Sequence, residues 1–250
     1  MGALAKKLFG GWKEGGRPVR KGAGETPALQ SRVVVIDMPD AGQASIVVGR
    51  RGIRRTDPAY MHALVANAVL GGGYSSRLNQ EVRIERGLSY GAQSWFEPRA
   101  DVGPFLPSTD TKHESAAEVV GIVVGEMSRL STADIAVAEL TPRKAALIGD
   151  FAFSLETTRG IVQRISALAL YGLPLSEIDR YVRSVQAVKA EEVRVFAATH
   201  MKGENVNVVV AGDAKQFVDA LRKQFEDVEV IGASELDLGS PSLRVRKAKE

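Results

Sequence analysis

The feature that most constrains this chain is the order of its apolar segments. Strand-like runs come first, a helical middle follows, and one strand-like run returns near the end. Residues 33–37 and 44–49 are β-branched runs, and the turn-forming stretch 39–42 between them predicts that they pair. Residues 206–211 form the buried type of strand. This order predicts an α+β fold, with a mixed, mostly antiparallel sheet and helices packed on one face.

Helical periodicity fills the middle of the chain. Asp57 and Pro58 supply an N-cap and a first-turn proline ahead of the apolar stretch 60–70. Thr111 and Glu114 have the spacing of a capping box, which predicts a helix that starts there. The same periodicity predicts further helices over residues 133–171 with a break near 156–158, and over 176–186, 189–200 and 214–224, with a short strand at 228–231.

The two ends of the chain differ in composition from the rest. Residues 1–12 predict an amphipathic helix with Leu4, Leu8, Phe9 and Trp12 on one stripe. Residues 13–31 are rich in glycine, proline and charge, which is typical of a linker. We therefore expect the folded domain over residues 32–234 and a flexible polar tail over 235–250.

Several common kinds of active site are excluded by residues that the chain lacks. There are no cysteines, so disulfides, thiolate catalysis and Cys-ligated zinc are ruled out. The G-x-S-x-G pattern of a nucleophile elbow does not occur. His62, His113 and His200 have no second histidine three or four positions away, and neither H-E-x-x-H nor H-x-x-E-H is present. We therefore expect no catalytic zinc on this chain.

Charge and hydropathy argue against nucleic-acid binding and membrane insertion. The net charge is +3, and the basic clusters at 50–55 and 244–249 carry no aromatic platform. No run of about 18 apolar residues is present to span a bilayer. The stretch 71–76 has the outline of a phosphate-binding loop but lacks the Gly-Lys-Ser/Thr ending. A helix that ends at these glycines accounts for them more simply, and a phosphate-ligand enzyme stays as the weaker alternative.

The most informative stretch is a helix, a turn and a strand. Periodicity predicts a helix over 75–86, a left-handed cap at Gly87, and a strand over 88–96 that forms a hairpin with 102–107. Arg83 lies off the apolar stripe of this helix, and Tyr90 lies on the strand. At neutral pH neither side chain is anionic and both can donate hydrogen bonds, which suits peptide carbonyl oxygens or a tetrahedral oxyanion. From the pattern alone, a surface arginine beside a half-buried tyrosine is the simpler interpretation.

This stretch resembles the zinc-lacking C-terminal half of M16 pitrilysin/insulinase-type peptidases, and among them the bacterial, mitochondrial-processing-peptidase-like subfamily. The family pattern is a small-residue turn, a Ser-x-Arg/Leu step, an arginine, and a Gly-Leu-x-Tyr step whose tyrosine lies seven positions after that arginine. Here the pattern occurs as Gly71-Gly72-Gly73, Ser76-Arg77-Leu78, Arg83 and Gly87-Leu88-Ser89-Tyr90, and the likeness continues over 4–12, 139–155, 171–174 and 208–213.

The resemblance implies a fold and a division of labour. It implies the metallohydrolase fold of LuxS and mitochondrial processing peptidase, with two homologous halves facing each other. One half carries zinc on H-x-x-E-H, and the other contacts peptide substrate through the arginine and tyrosine that match Arg83 and Tyr90. This chain would then hold no metal and hydrolyse nothing alone, and its partner would be a zinc-bearing homologous domain or subunit. Family relatives with a purely structural role leave a non-catalytic interaction module as the alternative.

The resemblance also bears on organisation and setting. It identifies residues 1–12 as a remnant helix of a preceding homologous domain, and residues 32–234 as the inactive-type C-terminal domain. Without its partner half, the chain could self-associate as a homo-oligomer. Analogy with bacterial relatives favours a periplasmic setting, and a cytoplasmic one remains open.

Overall fold

The computed structural model of the chain describes residues 2–13, 31–97 and 99–245. A six-stranded sheet runs through this part in the order β3-β4-β2-β5-β1-β6. Its strands are β1 Val33–Asp37, β2 Ala44–Arg51, β3 Ala92–Phe96, β4 Pro104–Thr111, β5 Asn207–Gly212 and β6 Val228–Gly232.

The sheet is mixed and mostly antiparallel, as the sequence predicts. The pairs β3–β4, β4–β2 and β2–β5 are antiparallel, and β1 pairs in parallel with both β5 and β6. The predicted pairing of residues 33–37 with 44–49 is wrong, because β5 lies between β1 and β2. Val208 and Val210 on β5 are fully buried, and a strand so apolar is best covered at the centre of a sheet.

Helices occupy the middle of the chain. They are α1 Gly2–Phe9, α2 Tyr60–Leu70, α3 Arg77–Asn79, α4 Ala116–Thr132, α5 Val137–Leu155, α6 Thr158–Leu170, α7 Ser176–Ala187, α8 Ala190–His200 and α9 Val218–Arg222. A π-helical segment, Gln80–Glu85, continues α3, and 3₁₀ turns cover His113–Ser115, Ala214–Gln216 and Ala233–Glu235. Within the described part of the chain, no helix combines the length and apolar composition that crossing a bilayer requires.

The core lies between the helices and one face of the sheet. Ala44, Ile46 and Val48 alternate along β2 and are fully buried, whereas Ser45 between them is exposed. The central helix α4 turns a buried stripe towards this face, made of Val119, Val120, Val123, Met127 and Leu130. The predicted packing of helices on one face is therefore confirmed.

Several element boundaries differ from the prediction, and the predicted capping box of Thr111 and Glu114 does not form. Thr111 ends β4, where it pairs with Ala44, and its hydroxyl donates to the carbonyl of Leu88 at 2.6 Å. A 3₁₀ turn then leads into α4. The predicted break near 156–158 is confirmed, because the Thr157 side chain caps α6 by accepting a hydrogen bond from the Gly160 amide at 3.0 Å. The predicted helix over 214–224 is a 3₁₀ turn followed by the short α9.

The structure does not test the predicted roles of the two ends of the chain. None of the residues of α1 is buried, and most of the predicted linker lies outside the described residues. The Arg32 guanidinium binds Glu229 at 2.8 Å and donates to the Pro241 carbonyl at 3.0 Å, which ties residues beyond β6 to the sheet. The remnant helix, the linker and the flexibility of the tail stay predictions, and residues 246–250 lie outside the described part.

A buried ion pair joins α3 to α5. The Arg77 side chain is 8% exposed and donates from Nε and Nη2 to the two carboxylate oxygens of Glu139, at 2.7 and 2.8 Å. The hydrogen bonds from Arg77 lower the pKa of the Glu139 carboxyl. Such a two-pronged pair fixes both position and orientation, so it anchors the start of the segment that carries Arg83.

We expect Glu139→Gln to destabilise the fold by about 2 kcal/mol at pH 7, because it leaves Arg77 buried with its charge uncompensated. The folded-state pKa of Glu139 is lowered, so its contribution is present above the ordinary carboxyl range and is lost as the pH falls through the lowered value. Urea unfolding of the wild type and the variant should therefore show a gap at pH 7 that narrows at about pH 3.

Glu97→Gln is the matched control, because Glu97 pairs with Arg99 at 2.7 Å while 44% of its side chain is exposed. It should cost about 0.5 kcal/mol or less at either pH. Equal losses for the two variants at pH 7 would contradict the anchoring role of Glu139.

Candidate functional site

A groove of about 900 Å³ lies where the C-terminal end of α2, the segment after it and β3 meet. Both residues that the sequence predicts as the site, Arg83 and Tyr90, line this groove. The other lining residues are Asn67, the glycines 71–73, Tyr74, Asn79 and the stretch 91–95. The role of Arg83 and Tyr90 in binding stays a prediction.

The floor of the groove depends on a close approach between Gly71 and β3. The Ser94 amide donates to the Gly71 carbonyl at 3.0 Å, and the Ser94 hydroxyl donates to the Asn67 side chain at 2.8 Å. A Cβ on Gly71 would lie 2.5 Å from the Ser94 amide nitrogen, so only glycine fits. The φ of Gly71 is −150°, which any residue can adopt, so the requirement is steric.

The Asn79 side chain joins the two walls of the groove. It is 4% exposed, donates to the Tyr74 carbonyl at 2.5 Å and accepts from the Ala92 amide at 3.3 Å. The outward-facing amides of Ala92 and Ser94 are thus both occupied, although β3 is an edge strand. Along these two residues, the edge of the sheet is closed to the addition of another strand.

Arg83 lies on the π-helical segment, with Val82 buried beside it and its own side chain exposed. Gly87 ends the segment with a φ of +62°, and its amide donates to the Arg83 carbonyl at 3.1 Å. The predicted glycine cap is therefore confirmed, whereas the π-helical turn has no sequence signal. The Arg83 guanidinium lies 5.1 Å from the centre of the Tyr74 ring and forms no ion pair with any residue that the structure describes.

Tyr90 lies on a loop rather than on a strand. The predicted strand over 88–96 starts only at Ala92, because side chains of β4 hold the preceding residues in a turn. The Thr109 hydroxyl donates to the Gly91 carbonyl at 2.8 Å, and the Thr111 hydroxyl bonds to Leu88. Tyr90 is 88% exposed and lines the groove, so it is not the half-buried tyrosine that the pattern alone allows.

The groove is weakly cationic. Among the described residues that line it, Arg83 is the only charged side chain, and no carboxylate faces it. The phenols of Tyr74 and Tyr90 add two further donors, and Trp95, which is 37% exposed, adds an apolar ring. The arrangement suits a ligand that offers oxygen acceptors along an extended backbone.

The described residues contain no cluster of three or more histidine, cysteine, aspartate or glutamate side chains that could hold a metal ion. His113 is occupied at both ring nitrogens, with Nε2 2.8 Å from the Ala41 carbonyl and Nδ1 3.3 Å from the Asp213 amide. His200 stacks on Phe196 with ring centres 4.7 Å apart, and burial lowers its pKa. His62 lies 3.9 Å from Glu192. These histidines therefore do not converge on a zinc site.

A family model described as the peptidase M16 inactive domain matches residues 1–147. The chain belongs to this family. A relative from Mycobacterium tuberculosis, named an uncharacterized zinc protease, is 31% identical over 84% of this chain and 48% of its own length. The crystal structure of a peptidase M16 inactive domain from Pseudomonas fluorescens is similar with a TM-score of 0.67 and 30% identity, covering 74% of this chain and 44% of that one.

A Helicobacter pylori relative carries a different name, a non-peptidase homolog, and is 26% identical over 59% of this chain and 34% of its own length. The M16 chain thus spans about half or less of the length of these relatives. The matches confirm the predicted family and fold.

Sequence reasoning missed the residues that build the groove around the predicted pair. Asn79 has a polar side chain on the same side of the helix as Arg83, which suggested a solvent-facing position. The close approach of Gly71 was also missed, although three consecutive glycines after an apolar helix signal that a backbone element passes nearby. Trp95 gave no signal beyond strand alternation.

Gly71→Ala should destabilise the M16 chain by about 2 kcal/mol, because the added methyl group forces α2 away from Ser94. Gly73→Ala is the matched control, since a Cβ there meets no atom within 4 Å. Urea unfolding gives the change in the free energy of unfolding for both variants. If the Gly71 substitution is as mild as that at Gly73, the close contact between α2 and β3 is not the feature that shapes the groove.

Proposed function

We propose that this M16 chain binds and positions extended peptide substrate for hydrolysis by a zinc-bearing partner half. Arg83 and Tyr90 would hold the substrate backbone or the oxyanion of the tetrahedral intermediate. The observation that carries the proposal is their placement on one open groove, with the guanidinium unpaired among the described residues and the phenol 88% exposed.

The chemistry of the groove supports a peptide as the ligand. An extended peptide presents carbonyl oxygens, and the charged and phenolic groups of the groove are donors at neutral pH. Removing water from donors aimed at a developing oxyanion gives them their largest effect, so a second half that closes over the groove would strengthen both contacts.

The zinc would come from the partner. The described residues offer no set of ligands for it, and the chain spans about half the length of the zinc-protease relatives. Zinc on the facing half would supply an activated water for hydrolysis, while this chain contributes binding and orientation. The partner in this proposal is a homologous domain or subunit that bears the zinc motif.

A second candidate is a non-catalytic interaction module of the same fold. The Helicobacter pylori relative named a non-peptidase homolog favours it. Against it stands the exposure of Arg83 without an ion-pair partner among the described residues, since a scaffold gains nothing from holding that side chain over a groove.

In the assembled enzyme, Tyr90→Phe should lower kcat/KM by about 10²-fold, because it removes one donor to the transition state and leaves the ring in place. Arg83→Gln should lower kcat/KM by a similar factor, about 10²-fold. Peptide hydrolysis by this chain combined with a zinc-bearing homologous half gives the measurement.

Arg86→Gln is the matched control for Arg83, because Arg86 lies on the same turn but does not line the groove. Its guanidinium forms ion pairs with Glu81 and Glu118, each with an N–O distance of 3.6 Å. It should leave kcat/KM within about twofold. Near-unchanged activity in both Tyr90→Phe and Arg83→Gln would refute the substrate role and favour the interaction module.

A further inference from the structure

A second cavity, of about 320 Å³, lies among α2, α5, α6 and α7. It is lined at the N-terminal end of α2, whereas the groove described above begins at the C-terminal end, and the two share no lining residue. Its volume falls within the range of about 300–1,000 Å³ that small-molecule sites occupy. The proposed peptide role does not use this cavity.

The walls of the cavity are apolar and aromatic. Phe151 and Tyr181 stack with ring centres 4.1 Å apart and an interplanar angle of 16°. Aliphatic side chains form another part of the lining, among them Leu64, Leu147, Leu168 and Ile178. Such a surface favours an apolar side chain of moderate size over a polar one.

Two opposite charges face this apolar space without pairing. Arg164 lies over the Phe151 and Tyr181 rings, 5.0 and 5.6 Å from their centres, and Asp150 lines the same cavity. Neither side chain forms an ion pair with a residue that the structure describes, in contrast to Glu177, which the Arg55 guanidinium binds at 2.6 Å. Arg164 Nε donates to the Ser154 hydroxyl at 3.2 Å, and Asp150 is exposed, so each charge is hydrogen-bonded or solvated but lacks an ion-pair partner among the described residues.

Two tyrosines, Tyr60 and Tyr181, line the same cavity. Burial raises the pKa of Tyr60 and of Tyr181, so both hydroxyls stay protonated and able to donate. Within the described residues neither hydroxyl has a hydrogen-bond partner, although both side chains line the cavity. Arg164 and Asp150 act electrostatically on the Tyr181 phenol with opposite effects on its pKa, and all three residues line the cavity.

We propose that this cavity binds a free amino acid with an apolar side chain, its carboxylate on Arg164 and its ammonium group on Asp150. The hydroxyls of Tyr60 and Tyr181 would donate further hydrogen bonds to the carboxylate. A simple anion would leave Asp150 without an oppositely charged partner, and a simple cation would leave Arg164 without one. A zwitterion satisfies both, and its side chain fills the apolar wall.

Three ligands that differ by one charge at a time test this assignment on the complete chain. L-Phenylalanine carries both charges, L-phenylalaninamide lacks the carboxylate, and N-acetyl-L-phenylalanine lacks the ammonium group. NMR titration of ¹⁵N-labelled protein should give L-phenylalanine a dissociation constant of about 1 mM, a normal value for a ligand of this size. Each derivative should bind about 10-fold more weakly or worse, because one charged contact is missing.

Variants then identify the two charged partners. Arg164→Gln should weaken L-phenylalanine binding about 10-fold, and Asp150→Asn about 5-fold, since Asp150 is more exposed. Arg183→Gln is the control, because it removes an exposed positive charge from α7 outside the cavity and should change binding less than about twofold.

Two results of the titrations would overturn the proposed amino-acid site. Absence of shifts with L-phenylalanine up to about 20 mM, well above the expected constant, overturns the proposal. Equal binding of all three ligands also overturns it, because the cavity would then select only the ring. If Arg164→Gln loses the spectrum of a folded protein, the three-ligand comparison on the unaltered chain still decides. None of these results depends on the peptide role of Arg83 and Tyr90.

Discussion

The site depends on one contact between backbones, where α2 ends against the edge strand β3. Gly71 meets Ser94 at a distance that no side chain larger than hydrogen allows, and the amide of Ser94 bonds to the Gly71 carbonyl. Asn79 then connects the following segment to Ala92. Because these bonds fix the strand relative to the helix, the loop that carries Tyr90 and the turn that carries Arg83 have a defined separation across the groove.

Arg77 and Arg83, which lie in the segment between α2 and β3, differ in burial and in ion pairing. Arg77 is buried, and a bidentate contact with Glu139 balances the cost of removing it from water. Six positions later, Arg83 is exposed, rests on the Tyr74 ring and has no acidic partner among the described residues. Water solvates an unpaired surface guanidinium at little cost, so Arg83 keeps its donors available for a ligand.

The sequence predicts those parts of the structure that neighbouring residues decide. Gly87 was predicted as a left-handed cap because its surroundings are local, and its φ is +62°. The capping box at Thr111 fails because the hydroxyl bonds instead to Leu88, 23 positions earlier, in a turn that only tertiary packing creates. The place of β5 between β1 and β2 likewise depends on strands more than 150 positions apart in the chain. Arg83 and Tyr90 were predicted by family resemblance, since their spacing alone also fits an ordinary surface.

The closed edge of β3 bears on how the proposed peptide role would work. A substrate that adds to a sheet as an extra strand needs free backbone donors along the edge, and here the amides of Ala92 and Ser94 are occupied from within the chain. Contacts from this side must therefore come from side chains, which is what an exposed Tyr90 and an unpaired Arg83 provide.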